Sequence, residues 1–285
     1  MAFRLSIISD EISEDLERAL DLAKEWGLPL VELRTLWGVN VVDLTPVQVE
    51  RARLAVERRR LAVECLASPV FKAPLRQHGP EPAGPRYFAS GAEAEQQLEV
   101  LARALAVARA IGAGMVRAFS FWRQPLTEQE YGGVVSYLRS AAETAAAAGC
   151  VLAVENEHTC NAATGGETAA LLAAVGAPNC LAIWDPGNAH VAGDLAYPAG
   201  YRALRGRIAN VHVKDCVRSP APGEEPWRLL GEGEVAWHDQ LAALVADGYD
   251  GPLTLEPHPI SGYTREESSF RCLQNLRRLV TEAAP

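Results

Sequence analysis

Short apolar runs alternate with longer amphipathic stretches along nearly the whole chain. Polar residues, glycine or proline bound each apolar run, as is typical of strands that a core covers on both faces. We predict eight strands: Leu5–Ser9, Leu30–Leu33, Leu61–Ala67, Met115–Phe121, Val151–Glu155, Leu181–Asp185, Ile208–Val213 and Leu253–Glu256.

The amphipathic stretches carry residues that begin and end helices. Thr45 precedes Pro46, which is a favoured pairing of an N-cap with a first helical residue. Ser13 is the predicted N-cap of the first helix, and Gly27 follows its end. We predict eight helices: Ser13–Trp26, Thr45–Arg60, Ala92–Ile111, Thr127–Ala148, Glu167–Val175, Pro198–Leu204, Trp237–Asp247 and Arg265–Ala283.

Strand and helix follow one another eight times, which indicates parallel strands joined by crossover helices. Eight such units in 285 residues fit an α/β fold with one closed (β/α)₈ TIM barrel, so we expect a single TIM-barrel domain over residues 1–285. The glycine-rich turn of dinucleotide-binding sheets is missing, because Asp10 and Glu11 follow the first strand. Two segments rich in proline and glycine, residues 69–91 and 219–234, are predicted to be long loops.

The composition is that of an ordinary globular protein. Hydrophobic residues make up 48 % and charged residues 22 %, which excludes a disordered or coiled-coil chain. A net charge of −9 disfavours nucleic acid as a partner. The six cysteines form no Cys-x-x-Cys pair, and we find neither a signal peptide nor a membrane-spanning run. We therefore expect a cytoplasmic protein with no membrane partner.

Four consecutive strands, the fifth to the eighth, end on side chains that bind metals: Glu155, Asp185, His212 and Glu256. The carboxyl ends of barrel strands meet at one mouth, so these side chains converge if all four point inward. Three carboxylates so close together repel one another unless a cation neutralises them. Three oxygen ligands with one imidazole suit one divalent metal ion, which we expect to be Mn²⁺ or Mg²⁺, with Zn²⁺ or Co²⁺ as alternatives.

Each of the four also has an ordinary explanation on its own. A glutamate at a strand end is commonly solvated, Asp185 opens a turn sequence, and His212 suits a hydrogen-bonded core position. Their recurrence at the same end of successive strands is what favours a metal site. Lys214 shares the face of His212, because side chains two apart on a strand point the same way. Glu157 shares the face of Glu155 for the same reason.

Five short motifs follow one another along the chain: Val31-Glu32-Leu33-Arg34, Val154-Glu155-Asn156, Asp185-Pro186-Gly187-Asn188, Val211-His212-Val213-Lys214-Asp215 and Leu255-Glu256-Pro257-His258. Together they resemble the xylose isomerase-like TIM barrels, in particular the sugar phosphate isomerase/epimerase group. The resemblance extends over nearly the whole chain. It implies a single divalent ion held by Glu155, Asp185, His212 and Glu256.

In the epimerases that this chain resembles, the glutamates of strands five and eight also exchange protons with the substrate. The resemblance therefore implies that Glu155 and Glu256 are the acid and base beside a carbonyl, acting through an enediolate that the metal stabilises. It also implies a small sugar, a ketose or a sugar phosphate, as substrate, and a homodimer or homotetramer. The residues expected to bind substrate are Arg34, Glu157, His158, His190 and Lys214.

The residues around the expected substrate depart from those of the ketose epimerases. Where those enzymes tend to carry glutamate, histidine and arginine, this chain has His158, Asn188 and Val217. Two other functions stay open: a dehydratase of a polyol ketone such as an inosose, and a barrel that binds a sugar without converting it. The related abasic-site endonucleases carry additional histidines on the early strands, which end without histidine here, so DNA is not an expected partner.

Overall fold

Eight parallel strands form a nearly closed barrel in the computed structural model, which describes residues 3–76, 93–221 and 223–283. The strands are β1 (Arg4–Ile7), β2 (Leu30–Leu33), β3 (Ala62–Val70), β4 (Met115–Ala118), β5 (Val151–Glu155), β6 (Cys180–Trp184), β7 (Ile208–Val213) and β8 (Pro252–Leu255). Their order is β1-β8-β7-β6-β5-β4-β3-β2, and a parallel bridge between Ile8 and Glu32 joins the first strand to the second. The predicted TIM barrel is confirmed.

A helix follows each strand. The helices are α1 (Leu16–Glu25), α2 (Pro46–Arg59), α3 (Gln97–Ile111), α4 (Glu128–Ala147), α5 (Gly165–Val175), α6 (Tyr201–Leu204), α7 (Trp237–Ala246) and α8 (Arg265–Ala283). Two further short helices, Ser9–Ile12 and Pro186–Val191, follow β1 and β6 directly. Within the described residues, no helix is both long and apolar enough to span a bilayer.

Capping residues account for the start of several helices. Thr45, Thr127 and Thr164 each form a capping box, accepting a hydrogen bond from the backbone amide three residues on. The expectation that Ser13 caps the first helix is wrong. Asp15 does so, accepting a hydrogen bond from the Arg18 amide at 2.9 Å, because a separate short helix already occupies the turn before Ser13.

Five strands end elsewhere than expected. β4 stops at Ala118 rather than Phe121, and β6 and β8 each stop one residue early, at Trp184 and Leu255. β1 stops at Ile7, since Ser9 already belongs to a helix. β3 continues to Val70, so Pro69 lies in a strand rather than at the start of a loop. Residues 71–76 of that predicted loop form no helix or strand, and residues 77–91 lie outside the described residues. The second predicted loop contains a short strand, Trp227–Arg228, which pairs antiparallel with Asp215–Cys216 after β7.

Alternation along the strands separates the hydrophobic core from the barrel interior. Val211 and Val213 of β7 are fully buried in the main core, and His212 between them contacts the carboxylates of other strands. A separate apolar cluster from β3 to β6 consists of Cys65, Met115, Ala153 and Ile183. Polar side chains collect beyond it at the carboxyl ends of the strands, where barrel enzymes place their active sites.

Candidate metal centre and active site

Glu155, Asp185, His212 and Glu256 come together at the carboxyl ends of four neighbouring strands. Each of the four offers one ligand atom, and these four atoms all lie within 4.8 Å of one another. All four side chains are buried. The structure therefore brings the predicted ligands into one cluster, because the parallel strands that carry them end at the same level of the barrel.

The ring of His212 shows why this cluster fits a metal ion. Its Nδ1 atom lies 3.5 Å from Glu155 Oε1 and 3.4 Å from Glu256 Oε2, yet it has no hydrogen-bond partner among the described residues. Carboxylate oxygens accept hydrogen bonds, and an unprotonated ring nitrogen does so too. Only a proton or a metal ion makes this contact favourable. Three carboxylates and one imidazole form a donor set that divalent ions accept.

The balance of buried charge points the same way. Around the cluster, buried carboxyl groups outnumber buried basic side chains among the described residues. The carboxyl groups belong to Asp10, Glu11, Glu32, Glu155, Glu157, Asp185 and Glu256, and the basic groups to Arg34, Lys72, Arg117 and Lys214. A divalent cation would offset most of the remaining negative charge, which buried groups tolerate poorly.

Basic side chains surround the carboxylates and hold them in place. Arg117 donates to Glu155 at 2.9 Å. Arg34 donates to Glu256 at 2.7 Å. Lys214 Nζ lies 3.0 Å from the second oxygen of Glu256. These contacts restrict the two glutamates predicted to move protons, so each keeps a defined orientation.

Burial and neighbouring charges compete in setting the pKa values. Burial alone would raise the pKa of Glu256, but Lys214, His258 and His212 together lower it well below its usual value. The pKa of Glu155 is also lowered, because Arg117 and His212 outweigh its burial. For Asp185 burial prevails and raises the pKa to about 6. Both glutamates are therefore ionised near neutral pH and able to bind a cation or accept a proton.

A cavity of about 270 Å³ opens above this cluster. Of the side chains predicted from the sequence, Arg34, Glu157, His158 and Lys214 line it together with Glu155 and Glu256. The volume suits a small molecule of a few carbon atoms. The cavity also has an aromatic side, where the rings of Trp227 and His258 lie 4.4 Å apart between centroids.

A model of the xylose isomerase-like TIM barrel matches residues 20–276 of the chain. The chain belongs to this family. Solved structures with the same fold include the IolI protein with a bound zinc atom, which is 17 % identical with a TM-score of 0.78 and 99 % of both chains covered. An L-ribulose 3-epimerase is 19 % identical with a TM-score of 0.75, covering 99 % of this chain and 96 % of its own.

Another solved structure with this fold carries the name of a different kind of enzyme. The probable 3-DHS dehydratase AsbF from Bacillus anthracis is 17 % identical with a TM-score of 0.75, and the match covers 96 % of this chain and 98 % of that one. A comparison with curated protein sequences gives no match. At these identities the neighbours show the fold, and the chemistry has to be argued from this chain's own site.

One predicted substrate residue of this family member lies away from the cavity. Among the described residues, His190 does not belong to the cavity lining; its Nε2 atom lies 2.9 Å from Glu234. Arg218 donates to the carbonyl oxygen of His190 at 3.2 Å. His190 lies in the short helix Pro186–Val191, which Asp185 caps. The turn of that helix directs Asn188, and not His190, towards the metal cluster. Asn188 donates a hydrogen bond to Glu155 at 3.1 Å.

Lys72 and Trp227 are two of the lining residues that the sequence analysis missed. Lys72 follows β3 and lies 2.9 Å from Glu157, with both side chains largely buried. Its position directly after a strand was the available signal, but the proline-rich sequence around it suggested a loop. Trp227 reaches the cavity from the short strand after β7. No periodic pattern marks that strand, so sequence reasoning had no signal with which to find it.

Proposed function

We propose that this protein is a divalent-metal-dependent isomerase or epimerase of a small sugar, a ketose or a sugar phosphate. The observation that carries the proposal is the pairing of two ionised glutamates, Glu155 and Glu256, with His212 and Asp185 at the floor of a small cavity. The epimerase activity of the L-ribulose 3-epimerase with the same fold supports it.

Two carboxylates in this arrangement can move a proton beside a carbonyl group. One glutamate removes the proton from the carbon next to the carbonyl, and the electron pair of that C–H bond passes to the carbonyl oxygen to give an enediolate. In an isomerisation, that proton is delivered to the former carbonyl carbon, while a second proton passes from the hydroxyl oxygen of the first carbon to the former carbonyl oxygen. In an epimerisation, the other glutamate first takes up a proton from solvent and then delivers it to the opposite face of the same carbon, while the electron pair on oxygen re-forms the carbonyl group.

The four clustered side chains would hold the ion, and we expect Mn²⁺ or Mg²⁺ because three of the ligands are carboxylates. A divalent ion bound there would stabilise negative charge that develops on substrate oxygens. The chain itself supplies orientation: Arg117 and Asn188 fix Glu155, and Arg34 fixes Glu256.

The cavity walls indicate how a sugar would be held. Lys72 and Glu157 form a buried pair on one wall, and His158 Nδ1 lies 2.8 Å from Glu157. These groups can donate to and accept from hydroxyl groups. Trp227 offers an apolar ring on another side of the cavity. A mixed polar and aromatic lining suits a sugar, which has both hydroxyl groups and apolar C–H faces.

The experiment that tests the proposal is deuterium exchange from D₂O into a panel of ketoses and sugar phosphates, followed by NMR. We expect exchange with the manganese-loaded protein, and loss of exchange in Glu155→Gln and Glu256→Gln. The matched control is Glu57→Gln on the surface of α2, where Glu57 pairs with Arg53 far from the cavity. Exchange that persists in both active-site variants would refute the assigned acid and base.

Metal content tests the other half of the proposal. Protein purified without chelator should carry about one divalent ion per chain, and Glu155→Ala and His212→Ala should lose it. Failure of the wild-type protein to bind Mn²⁺, Mg²⁺, Zn²⁺ or Co²⁺ after soaking would remove the metal-dependent mechanism and leave only the barrel.

A dehydratase of a polyol ketone is the second candidate, and Lys214 favours it. Its ammonium group lines the cavity 3.0 Å from Glu256. After proton abstraction, an acid in that position can protonate a β-hydroxyl group, which leaves as water while the electron pair forms a carbon–carbon double bond. Incubation with inososes would produce an enone that absorbs in the ultraviolet. An epimerase would give deuterium exchange without that absorbance.

A further inference from the structure

Glu32 is a buried carboxyl group that the proposed reaction does not use. It lies in β2 with a fully buried side chain, and it is not among the described residues that line the cavity. Its partners come from the opposite half of the chain. Asn210 Nδ2 donates to Glu32 Oε1, and His212 Nε2 lies 3.4 Å from Glu32 Oε2.

The amide of Asn210 has a fixed orientation in this network. Thr254 Oγ1 donates to Asn210 Oδ1 at 3.1 Å, which leaves the Nδ2 group of Asn210 to donate to Glu32. Thr254 is paired in register with His212 across β7 and β8, so the network lies directly beside the histidine. One oxygen of Glu32 is thereby committed to Asn210, and the other faces His212.

This contact favours one of the two tautomers of a neutral His212 imidazole. A carboxylate only accepts hydrogen bonds, so the favourable partner for Glu32 is a protonated Nε2 of His212. In a neutral imidazole the lone pair then lies on Nδ1. The Nδ1 atom of His212 lies 3.5 Å from Glu155 and 3.4 Å from Glu256. It has no hydrogen-bond partner among the described residues.

We propose that Glu32 is a positioning residue of the metal centre: it holds Nε2–H of His212 and so presents the Nδ1 lone pair to the ion. The inference rests on the proposed metal site. In metal sites, a carboxylate commonly accepts a hydrogen bond from the histidine ring nitrogen that does not bind the metal. Removal of such a carboxylate typically weakens metal affinity by about 10–100-fold. Glu32 does not line the cavity, and of the four predicted ligands it contacts His212, so its effect on the ion passes through that side chain.

Metal affinity tests the inference without reference to catalysis. Binding of Mn²⁺ and Zn²⁺ is measured by calorimetry and by competition with a chromophoric chelator. In Glu32→Ala we expect affinity to fall by about 10–100-fold. Glu64→Gln is the control, because Glu64 lies on the neighbouring strand β3 and pairs with Arg4 away from the cluster. Unchanged affinity in Glu32→Ala would overturn the proposal.

A reciprocal exchange separates positioning from a general loss of structure. Glu32→Gln places an amide donor opposite the donor of Asn210, so it should weaken metal binding. Combining it with Asn210→Asp exchanges the amide and the carboxylate between the two positions. The amide at position 32 can then donate to the carboxylate at position 210, and its oxygen can still accept from Nε2–H of His212. The carboxylate at position 210 also gives the Thr254 hydroxyl an acceptor. We expect the double variant to regain affinity to within a few-fold of the wild type. A folded double variant that binds as weakly as Glu32→Gln would contradict the inference.

The wild-type protein gives a test that needs no Glu32 variant. Long-range ¹⁵N NMR of the zinc-loaded protein distinguishes the two ring nitrogens of His212, with His212→Gln used for assignment. We expect hydrogen on Nε2 and metal on Nδ1; metal on Nε2 would refute the role of Glu32. If wild-type protein binds no divalent ion, the metal centre and this role fall together. Binding that Glu32→Ala leaves unchanged refutes only this role.

Discussion

Lys214 Nζ lies 2.7 Å from Asp185 Oδ2, in the middle of the predicted metal ligands. The same ammonium group lies 3.0 Å from Glu256 Oε2. Lys214 therefore places a positive charge directly beside two of the four predicted ligands, and it shares their oxygens with any metal ion that binds. This relationship leads to the first prediction.

In Lys214→Met we expect tighter binding of Mn²⁺, because the competing ammonium is gone. The metal-free variant should be less stable, since removing one partner of a buried ion pair costs about 3–5 kcal/mol. Calorimetry measures the affinity, and thermal unfolding with and without Mn²⁺ measures stability. Lys24→Met, on α1, is the control. Weaker metal binding in Lys214→Met would show that the ammonium assists the site.

Arg117→Met should destabilise the metal-free protein. Arg117 donates to Glu155 at 2.9 Å, and its other nitrogens donate to the backbone carbonyls of Ala67 and Ser68. The variant leaves the buried Glu155 carboxylate without this cation, at a cost of about 3–5 kcal/mol. Thermal unfolding checks this, and added Mn²⁺ should recover part of the loss. An unchanged unfolding temperature would show that Glu155 does not depend on Arg117.

Chelation of the metal should lower the unfolding temperature of the wild-type protein. A ligand at 100 times its Kd stabilises the folded state by about 2.7 kcal/mol. We expect the free energy of unfolding to differ by about this amount between wild-type protein loaded with Mn²⁺ and wild-type protein treated with chelator. In His212→Ala we expect almost no difference. An equal metal-induced shift in His212→Ala would place the ion at another site.

Lys72→Met should impair binding of substrate more than chemistry. Lys72 pairs with Glu157 at 2.9 Å, and neither belongs to the four-residue metal cluster. A lost hydrogen bond to a charged group is worth about 1.5–3 kcal/mol, so KM on a ketose that shows exchange should rise by at least about tenfold. We expect kcat to change much less. A fall in kcat with KM unchanged would instead place Lys72 at the reacting carbon.

A pair of histidine variants distinguishes the two predicted substrate residues. His158 lines the cavity and lies 3.3 Å from Asn188 through Nδ1, whereas His190 pairs with Glu234 outside it. We expect His158→Ala to slow deuterium exchange into substrate. We expect His190→Ala to leave the exchange rate within about twofold, because the lost contact between His190 and Glu234 is worth at most about 1 kcal/mol. Equal losses in the two variants would support the sequence-based role of His190.

The barrel and the metal cluster are predictable from the sequence because they depend on local and periodic features. Alternating strand and helix patterns identify the eight units, and parallel strands necessarily bring their carboxyl ends together. Glu155, Asp185, His212 and Glu256 were therefore placed near one another by strand position alone. The capping of α1 by Asp15 was not predictable in the same way, because the short helix Ser9–Ile12 lies directly before it and has Ser13 as its C-cap.

Contacts between distant parts of the chain were decided only by the tertiary structure. Glu32 and His212 are 180 residues apart, and their contact depends on the interior register of β2 and β7 across the barrel. Lys72 follows β3 and Glu157 follows β5, and the two side chains meet because both segments line the same cavity. Sequence periodicity predicts which face of a strand a side chain occupies. Which residue of a distant strand it contacts depends also on how far each strand extends and on the register between the strands. The alternating pattern therefore suffices to predict the barrel and the four side chains that cluster at its mouth, whereas the groups that orient these side chains follow from contacts that only the folded chain makes.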